Sequence, residues 1–203
     1  MSENCNVSIV DGMPESWNAT VNLLASIGIA ANTYISAEEF LQSGNDSKPG
    51  CVLTELLLPR MSGLELLEKL ALNPLRPASI VVTDHATIAT AIRSLQLGSL
   101  TLLEKPCNDL AVLNTIREAI KLDSITRQAS IERANSIKAI QELSTGECNV
   151  LRLLMNGFLN KQIAKRLDIA MRTVESRRQR IMRKLGVASL PQLITKVVQA
   201  EYD

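Results

Sequence analysis

The sequence predicts a doubly wound α/β domain with a five-stranded parallel sheet, followed by an all-α domain of four helices. In the first half of the 203 residues, five short apolar runs alternate with segments of helical period. In the second half, short helices follow one another with tight connections. A composition of 46% hydrophobic and 21% charged residues supports one large core or two ordinary ones, and it excludes disordered and fibrous classes.

Strands and helices alternate along the first half. The predicted strands are residues 7–11, 29–34, 51–56, 79–83 and 100–103. The predicted helices are residues 15–26, 37–42, 63–70, 87–97 and 109–122. Ser36 and Asn108 are predicted N-caps. The fourth helix is indicated by an apolar stripe of Ile88, Ala91, Ile92 and Leu95.

The carboxyl ends of the predicted strands form the first candidate site, because parallel α/β sheets bind their ligands there. Four polar residues stand at these ends: Asp11, Glu55, Thr83 and Lys105.

Charge is divided unevenly, although the formal net charge of the chain is only +1. Residues 1–122 hold 8 basic and 13 acidic side chains, a net charge of −5, whereas residues 143–200 hold 11 and 3, a net charge of +8. Such a basic segment indicates nucleic acid as a partner, with a solvated basic face as the alternative. Aromatic residues make up only 2% of the chain, which argues against base stacking on single strands but not against duplex binding.

The sequence carries no pattern typical of metal binding, secretion or membrane insertion. The four cysteines lack CxxC spacing and, with the single His85, make no recognisable zinc site, so we expect no metal ion and no other cofactor. The opening MSENCN does not resemble a secretory signal. Residues 16–37 are uncharged but interrupted by asparagines and hydroxyls, so we expect a soluble cytoplasmic protein without membrane contact.

The run PGCVLTELLLPRMSGLELL, followed by IVVTDH and LLEKP, resembles the receiver domain of FixJ/NarL-type response regulators over roughly residues 5–122. The resemblance implies a CheY-like, flavodoxin-like fold. In that family, paired acidic residues after the first strand bind Mg²⁺, an Asp ending the third strand accepts a phosphoryl group, and a Thr and a Lys bind its oxygens. By position, Asp11, Thr83 and Lys105 match this pattern.

Four pocket positions depart from the family: Gly12 replaces the second acidic residue, Glu55 the phosphoacceptor Asp, Asp84 a small residue and Leu102 a common aromatic. Losing a carboxylate weakens Mg²⁺ binding. Glu55 extends its carboxylate roughly 1.5 Å farther than Asp, toward Lys105 and away from in-line attack. We therefore expect no phosphotransfer, and we expect Glu55, alone or with Asp84, to form a standing charged contact with Lys105.

Three other interpretations of this pocket stay open. The positions are drifted residues kept for packing and solubility, or Glu55 is an unorthodox phosphoacceptor. In the third, Asp84 completes a divalent-cation site with Asp11 and Glu55.

The absence of Gly and Pro from residues 109–141 predicts that the last receiver helix continues into a connector. The predicted domains are a receiver over 1–122, a helical linker over 123–142 and a DNA-binding domain over 143–203.

Local signals outline the second domain. Ser144 and Glu147 have the spacing of a capping box, and Gly157 is a predicted helix stop. Asn160 is the predicted cap of the next helix. A third helix over 172–185 has Val174, Arg178, Ile181 and Leu185 on one side. Its opposite side carries Arg172, Glu175, Ser176, Gln179, Arg180 and Arg183. Such a helix fits the DNA major groove.

Residues 143–194 resemble the LuxR-type helix-turn-helix domain over almost its full length. The resemblance implies that base-reading positions are Glu175, Ser176 and Gln179. It also implies that Lys161, Thr173, Arg183 and Lys184 face phosphates, and we expect Arg172 and Arg180, on the same polar side of the helix, to contact phosphate as well. The resemblance further implies a dimer through the last helix, with Leu193 and Val197 at the interface. Ala170 replaces the usual Ser cap, and Arg177 a frequent His.

The sequence therefore predicts a non-enzymatic, sequence-specific transcription regulator with an atypical receiver. Its expected partners are double-stranded DNA, a second copy of the chain at least on DNA, and a protein or small-molecule signal at the receiver. Two alternatives stay open, namely a regulator that still cycles a phosphoryl group and a protein-interaction adaptor.

Overall fold

The structure is a computed structural model that describes the backbone of residues 5–201 and, apart from Pro14 and Glu201, their side chains. The chain divides into two compact units, Met1–Gln128 and Ala129–Asp203. Within the described part of the chain, no helix has both the length and the apolar character needed to span a membrane.

The first unit is built on a five-stranded parallel sheet in the order β2-β1-β3-β4-β5, which confirms the predicted fold class. The strands are β1 Asn6–Val10, β2 Ala30–Tyr34, β3 Gly50–Thr54, β4 Ala78–Thr83 and β5 Ser99–Glu104. The predicted strands included Asp11 and Glu55. In the structure β1 and β3 end one residue earlier, so Asp11 and Glu55 are the first residues after these strands. Both therefore lie in loops at the carboxyl edge of the sheet.

Five helices cover the two faces of this sheet. They are α1 Asn18–Ser26, α2 Ala37–Gln42, α3 Gly63–Ala71, α4 Ile88–Gln96 and α5 Asp109–Gln141. Short 3₁₀ turns occupy Pro14–Trp17 and Asn45–Ser47. The predicted N-caps are confirmed, because Ser36 Oγ accepts from Glu39 N at 3.2 Å and Asn108 Oδ1 accepts from Leu110 N at 2.8 Å. The predicted continuation of the last helix beyond Leu122 is also confirmed.

Alternate residues of the strands face two separate layers of the core. Val7, Ile9 and Leu53 pack with α1 and α5, through side chains such as Leu24 and Ile116. Val10 and Val52 face the other way and pack with α2 and α3 through Phe40 and Leu66. Because both faces are covered, the strand sequences are nearly continuous apolar runs.

The apolar stripe of α4 does not enter the core, although the helix itself forms as predicted. Ile88, Ile92 and Leu95 are 82%, 52% and 51% exposed, and the buried residue of the helix is Ser94. The periodicity thus identified the helix, but it did not identify the face that packs on the sheet.

Four helices follow in the second unit: α6 Thr145–Met155, α7 Asn160–Leu167, α8 Met171–Leu185 and α9 Leu190–Glu201. The predicted capping box of α6 is confirmed, and Gly157 follows the helix with φ +78°. The prediction that Asn160 caps α7 is wrong, because Leu159 is the N-cap and its N–H donates to Gln162 Oε1 at 2.8 Å. Asn160 is already helical, and its side chain has a different partner, described below.

Candidate functional site

The carboxyl ends of the strands bring the four predicted polar residues of the receiver to one edge of the sheet. Val10 is in register with Thr54, and Thr54 with Val81, so the residues that follow these strands converge. Asp11, Glu55 and Thr83 are nearly buried, being 3%, 8% and 0% exposed.

Lys105 is the centre of this edge. Its Nζ donates to Asp11 Oδ2 at 2.7 Å and to Glu55 Oε2 at 2.9 Å. The expected contact between Glu55 and Lys105 is therefore present, and Asp11 is a second partner that the expected contact did not include.

Trp17 and three backbone amides, the third being Leu57 N at 3.4 Å from Glu55 Oε1, also donate hydrogen bonds to these carboxylates. Trp17 Nε1 donates to Asp11 Oδ2 at 2.8 Å, and Met13 N donates to Asp11 Oδ1 at 2.9 Å. Leu56 N donates to Glu55 Oε1 at 2.7 Å. Each oxygen of both carboxylates thus accepts at least one hydrogen bond, which compensates for their loss of water. Sequence reasoning missed Trp17, which lies at the end of the first 3₁₀ turn.

These contacts favour the charged forms of both partners. Burial opposes ionisation of Asp11, but hydrogen bonds from Lys105, Trp17 and Met13 N outweigh it and lower the pKa of Asp11 below its ordinary value. Burial likewise opposes the charge of Lys105, but its hydrogen bonds to Asp11 and Glu55 raise the pKa of Lys105 above its ordinary value. Asp11 and Lys105 are therefore both ionised at neutral pH.

Asp84 does not take part in this cluster, so its expected contact with Lys105 is corrected. Its carboxylate lies 3.2 Å from His85 Nε2, and both side chains are about 60% exposed. An ion pair between two side chains as exposed as these contributes little to stability. The Thr83 hydroxyl is instead buried and accepts from His85 N at 3.1 Å.

The remaining departures have different surroundings. Leu102 on β5 is partly buried and packs with Leu56, Leu67 and Val81, so an aliphatic side chain fills the aromatic position of the family. Gly12 is exposed, and a Cβ built on it would come no closer than 3.7 Å to Pro59. The local backbone would therefore accept a Cβ at Gly12 without a clash.

The residues of this edge do not fit Mg²⁺. The ion prefers several oxygen ligands in octahedral geometry, and here Gly12 contributes none. Both carboxylates that remain accept hydrogen bonds from the Lys105 ammonium. Among residues 5–201, no group of three or more His, Cys, Asp or Glu side chains is arranged to hold a metal ion.

The second candidate site is the polar side of α8. Val174, Ile181 and Leu185 are at most 1% exposed and belong to the core of the second unit. The opposite side is open to solvent: Arg172, Glu175, Gln179, Arg180 and Arg183 are exposed, while Thr173 and Ser176 are partly exposed. The predicted two-sided character of this helix is confirmed.

Polar contacts fix α8 to the preceding helices. Arg178 Nη1 donates to Asn160 Oδ1 at 3.2 Å, so the residue predicted as a cap instead joins α7 to α8. Arg177 Nη1 donates to Gly146 O at 3.4 Å. These contacts join α8 to α6 and α7, in addition to the packing of its apolar side in the core of the second unit.

Lys184 has an intramolecular partner that the sequence did not reveal. Its Nζ donates to Glu147 Oε2 at 2.8 Å and to Glu142 O at 3.0 Å. The Lys184 ammonium, and then the Ser144 N–H of the capping box, lower the pKa of Glu147 to about 2. Lys161, by contrast, is exposed near the start of α7. The contacts of Lys161 and Lys184 with DNA phosphate stay predictions.

Leu193 and Val197 are not available for the predicted dimer interface. They are 0% and 2% exposed, because their side of α9 packs into the core of the second unit. The exposed apolar positions of the helix are Ile194 and Val198, 36% and 37% exposed. Leu193 and Val197, four residues apart on α9, thus pack within their own domain, and the residues one position farther along face outward.

Comparison with known proteins matches the two parts of the chain to two different families. Residues 7–117 match the response regulator receiver domain family, and residues 141–197 match the family of bacterial regulatory proteins of the luxR type. The transcriptional regulatory protein FixJ of Azorhizobium caulinodans is 35% identical over 200 residues, covering 98% of this chain and 95% of that protein. The response regulator protein TodT of Pseudomonas putida is 33% identical, covering 96% of this chain and 86% of that protein.

Solved structures agree. The response regulator StyR superposes with a TM-score of 0.80 at 32% identity, covering 97% of this chain and 99% of that one. Full-length FixJ of B. japonicum gives a TM-score of 0.56 at 26% identity, covering 98% of each. Fold and sites together define a receiver domain joined to a DNA-binding helix-turn-helix. The chain belongs to the NarL/FixJ-type response regulators of two-component systems, a class of DNA-binding transcription regulators.

Proposed function

We propose that this response regulator binds specific DNA sequences without being phosphorylated, because its receiver is held in one state by Lys105. The observation that carries the proposal is the bridge from Lys105 Nζ to Asp11 and Glu55, at 2.7 and 2.9 Å. In the receiver family, the corresponding lysine binds a phosphoryl oxygen. Here Lys105 binds the carboxylate of Glu55, which stands at the acceptor position. Glu55 thus permanently provides the anion that a phosphorylated acceptor would provide to this lysine.

The remaining hydrogen bonds of Glu55 support this role. A nucleophile must present a free oxygen in line with the phosphorus atom. Glu55 Oε1 accepts from Leu56 N at 2.7 Å while Oε2 accepts from Lys105, so the two hydrogen bonds orient the carboxylate toward Lys105. The missing carboxylate at Gly12 removes a ligand for the Mg²⁺ on which phosphoryl transfer depends.

The DNA-binding function rests on α8. Glu175, Ser176 and Gln179 are the proposed base-reading residues. Lys161, Arg172, Thr173, Arg180 and Arg183 are the proposed phosphate contacts, and Lys184 joins them only in addition to its bond with Glu147. Residues 143–200 carry a net charge of +8, which favours a polyanion. We place the functional boundaries at 1–122, 123–142 and 143–203, and we expect the protein in the cytoplasm, where its DNA is.

We also propose that two copies bind together on DNA. The exposed Ile194 and Val198 of α9 are the residues that we assign to this homodimer, in place of Leu193 and Val197. A two-fold dimer reads half-sites about 10 bp apart.

Intact-mass measurement after incubation with acetyl phosphate and Mg²⁺ tests the receiver. We expect the wild-type chain to gain no phosphoryl group. A gain that disappears in Glu55→Ala would contradict the proposal, because Glu55 would then be a working acceptor.

The matched positive control is the double change Gly12→Asp with Glu55→Asp, which restores the family's acidic set. Because a Cβ at Gly12 meets nothing closer than 3.7 Å, the local backbone accepts the first change. We expect this variant to gain one phosphoryl group under the same conditions. If neither protein gains one, positions 12 and 55 do not account for the lost phosphotransfer.

A further inference from the structure

A cleft of about 1120 Å³ opens at the amino-terminal edge of the sheet, within the first unit. Its walls come from the starts of β1, β2 and β3 and from one side of α5. Because the strands are parallel, this edge is opposite to the one that holds Asp11, Glu55 and Lys105. The cleft is therefore separate from the receiver site described above, and its volume is sufficient for a drug-sized molecule.

The cleft is positively charged. Lys48, Arg117 and Lys121 line it, and no acidic side chain does among the residues that the structure describes. All three cations are also exposed, and none of them forms an ion pair within residues 5–201. This concentration of cations is unusual in a half of the chain whose net charge is −5. Three unpaired cations around one cleft attract an anion.

The floor of the cleft is apolar. Ile29 is 5% exposed, and the partly buried Ile27 and Ile120 lie beside it. Asn6 and Asn32, joined by a 2.9 Å hydrogen bond, add amide groups to the same wall. Apolar walls with a few convergent polar groups are typical of small-molecule sites. The lining thus matches a molecule with an apolar body and an anionic end.

We propose that this cleft binds a small organic anion, a carboxylate or sulfonate on an apolar body. Arg117 and Lys121 hold the anionic group, since guanidinium and ammonium groups form the strongest hydrogen bonds to carboxylates. Ile27, Ile29 and Ile120 contact the apolar body. An inorganic anion lacks that body and gains nothing from the floor, so it binds more weakly.

The position of the cleft also determines what the ligand would stabilise. Asp123, one turn beyond Ala119 on α5, accepts from Gly50 N at 3.0 Å and pairs with Arg127 at 3.1 Å. Arg127 in turn donates to the carbonyls of Ser47 and Lys48 at 2.7 and 2.9 Å. A ligand between α5 and the strand starts adds to these contacts. It therefore strengthens the attachment of α5 to the sheet.

Titration of the ¹⁵N-labelled full chain with 2-naphthoate, followed by amide chemical shifts, tests the site. We expect saturable shifts at residues of the cleft such as Ala30 and Lys121, with a Kd below about 1 mM. The neutral isostere naphthalene-2-carboxamide should bind about tenfold more weakly, because it keeps the apolar contacts and loses the charge-assisted bonds. Inorganic phosphate should bind more weakly than 2-naphthoate, because it lacks the apolar body.

Single variants locate the anion. Arg117→Gln and Lys121→Gln should each raise the Kd for 2-naphthoate about tenfold. Lys69→Gln, which removes an exposed cation from α3 outside the cleft, should leave it unchanged. The proposal is overturned by any of four results: no saturable binding, equal binding of the carboxamide, shifts confined to other residues, or a Kd that neither cleft variant alters.

Discussion

Lys105 neutralises two carboxylates that would otherwise lie unpaired in the protein interior. Asp11 and Glu55 are 3% and 8% exposed, and burying a carboxylate is costly unless a cation or hydrogen-bond donors compensate it. Lys105 provides the cation and Trp17 a further donor, and the Lys105 Nζ also lies 5.6 Å from the centre of the Trp17 ring. The charges of the pocket are therefore balanced by groups of the protein itself, which is the physical basis of the proposed single state.

Lys105→Met should destabilise the first unit by roughly 2 kcal/mol at neutral pH, because it keeps the aliphatic chain but leaves two carboxylates without their cation. Urea unfolding of the full chain measures the change. Lys69→Met is the matched control, since Lys69 is exposed and contacts no buried carboxylate. Equal stabilities for Lys105→Met and the wild type would mean that the bridge does not hold the pocket together.

The same comparison has a defined pH dependence. The pKa of Asp11 is lowered in the folded protein, so its ion pair contributes stability above the ordinary Asp value of 3.8. That contribution is lost as the pH falls through the lowered pKa. The difference between wild type and Lys105→Met should therefore be full at pH 7 and shrink below about pH 4.

Side-chain contacts were predictable from the sequence only where the strand ends bring the residues to the same edge of the sheet. Glu55 and Lys105 follow two strands of one parallel sheet, β3 and β5, so both residues lie at its carboxyl edge, and the long Lys105 side chain reaches Glu55 past the end of β4. The direction of the Trp17 indole depends on the packing of the first helical turns, which no local pattern encodes. Asp84 lies at the same edge of the sheet as the Lys105 cluster, but its side chain is exposed to solvent. Its position next to Thr83 in the sequence therefore wrongly predicted a contact with Lys105.

At the scale of elements, α8 combines a buried apolar side with an exposed polar side on one helix. Its core residues Val174, Ile181 and Leu185 are at most 1% exposed, and hydrogen bonds from Arg177 and Arg178 join it to α6 and α7. A recognition helix needs such rigidity, because base discrimination depends on side chains held in register with the groove.

Gln179→Ala should relax sequence preference at one base position, because Gln can pair with an adenine edge in the groove. Lys161→Ala should instead weaken binding to all duplexes and reduce the salt slope by about 1. Fluorescence anisotropy with matched and scrambled duplexes across a salt series separates the two effects. If Gln179→Ala weakens every duplex equally, the polar side of α8 does not read bases.

Glu147→Gln should destabilise the second unit by about 1–2 kcal/mol at pH 7, because Lys184 then loses its carboxylate while the capping geometry is largely kept. The pKa of Glu147 is about 2 against an ordinary 4.5, so the charged bond contributes fully above pH 4.5 and is lost as the pH falls toward 2. Thermal unfolding between pH 7 and pH 2.5 should show the wild type approaching the variant. A constant difference over this range would contradict the assigned ion pair.

Periodicity predicted the helices of this protein better than it predicted their environments. The stripe of α4 and the Leu193 and Val197 positions of α9 both have helical spacing. In the structure the stripe of α4 is exposed, whereas Leu193 and Val197 are buried. Spacing alone does not specify which side of a helix meets the rest of the protein, because that depends on how the helix is placed by its connections.

At the scale of the whole molecule, opposite charges are segregated along the chain. The first 122 residues carry −5, while residues 143–200 carry +8. The acidic half does not attract the phosphates of DNA. The basic domain is therefore the part of the chain that supplies non-specific affinity for DNA. The helix α5 runs without a break from Asp109 to Gln141 between these parts of the sequence.

Selection of bound duplexes from a random pool, using full-length chain never exposed to a phosphodonor, tests the central claim most directly. We predict enrichment of one sequence with two half-sites about 10 bp apart, and the same enrichment after treatment with acetyl phosphate and Mg²⁺. Gln179→Ala should lose the preference at one position of each half-site. A pool that stays random until acetyl phosphate is added would contradict the claim that this regulator reads DNA independently of phosphorylation.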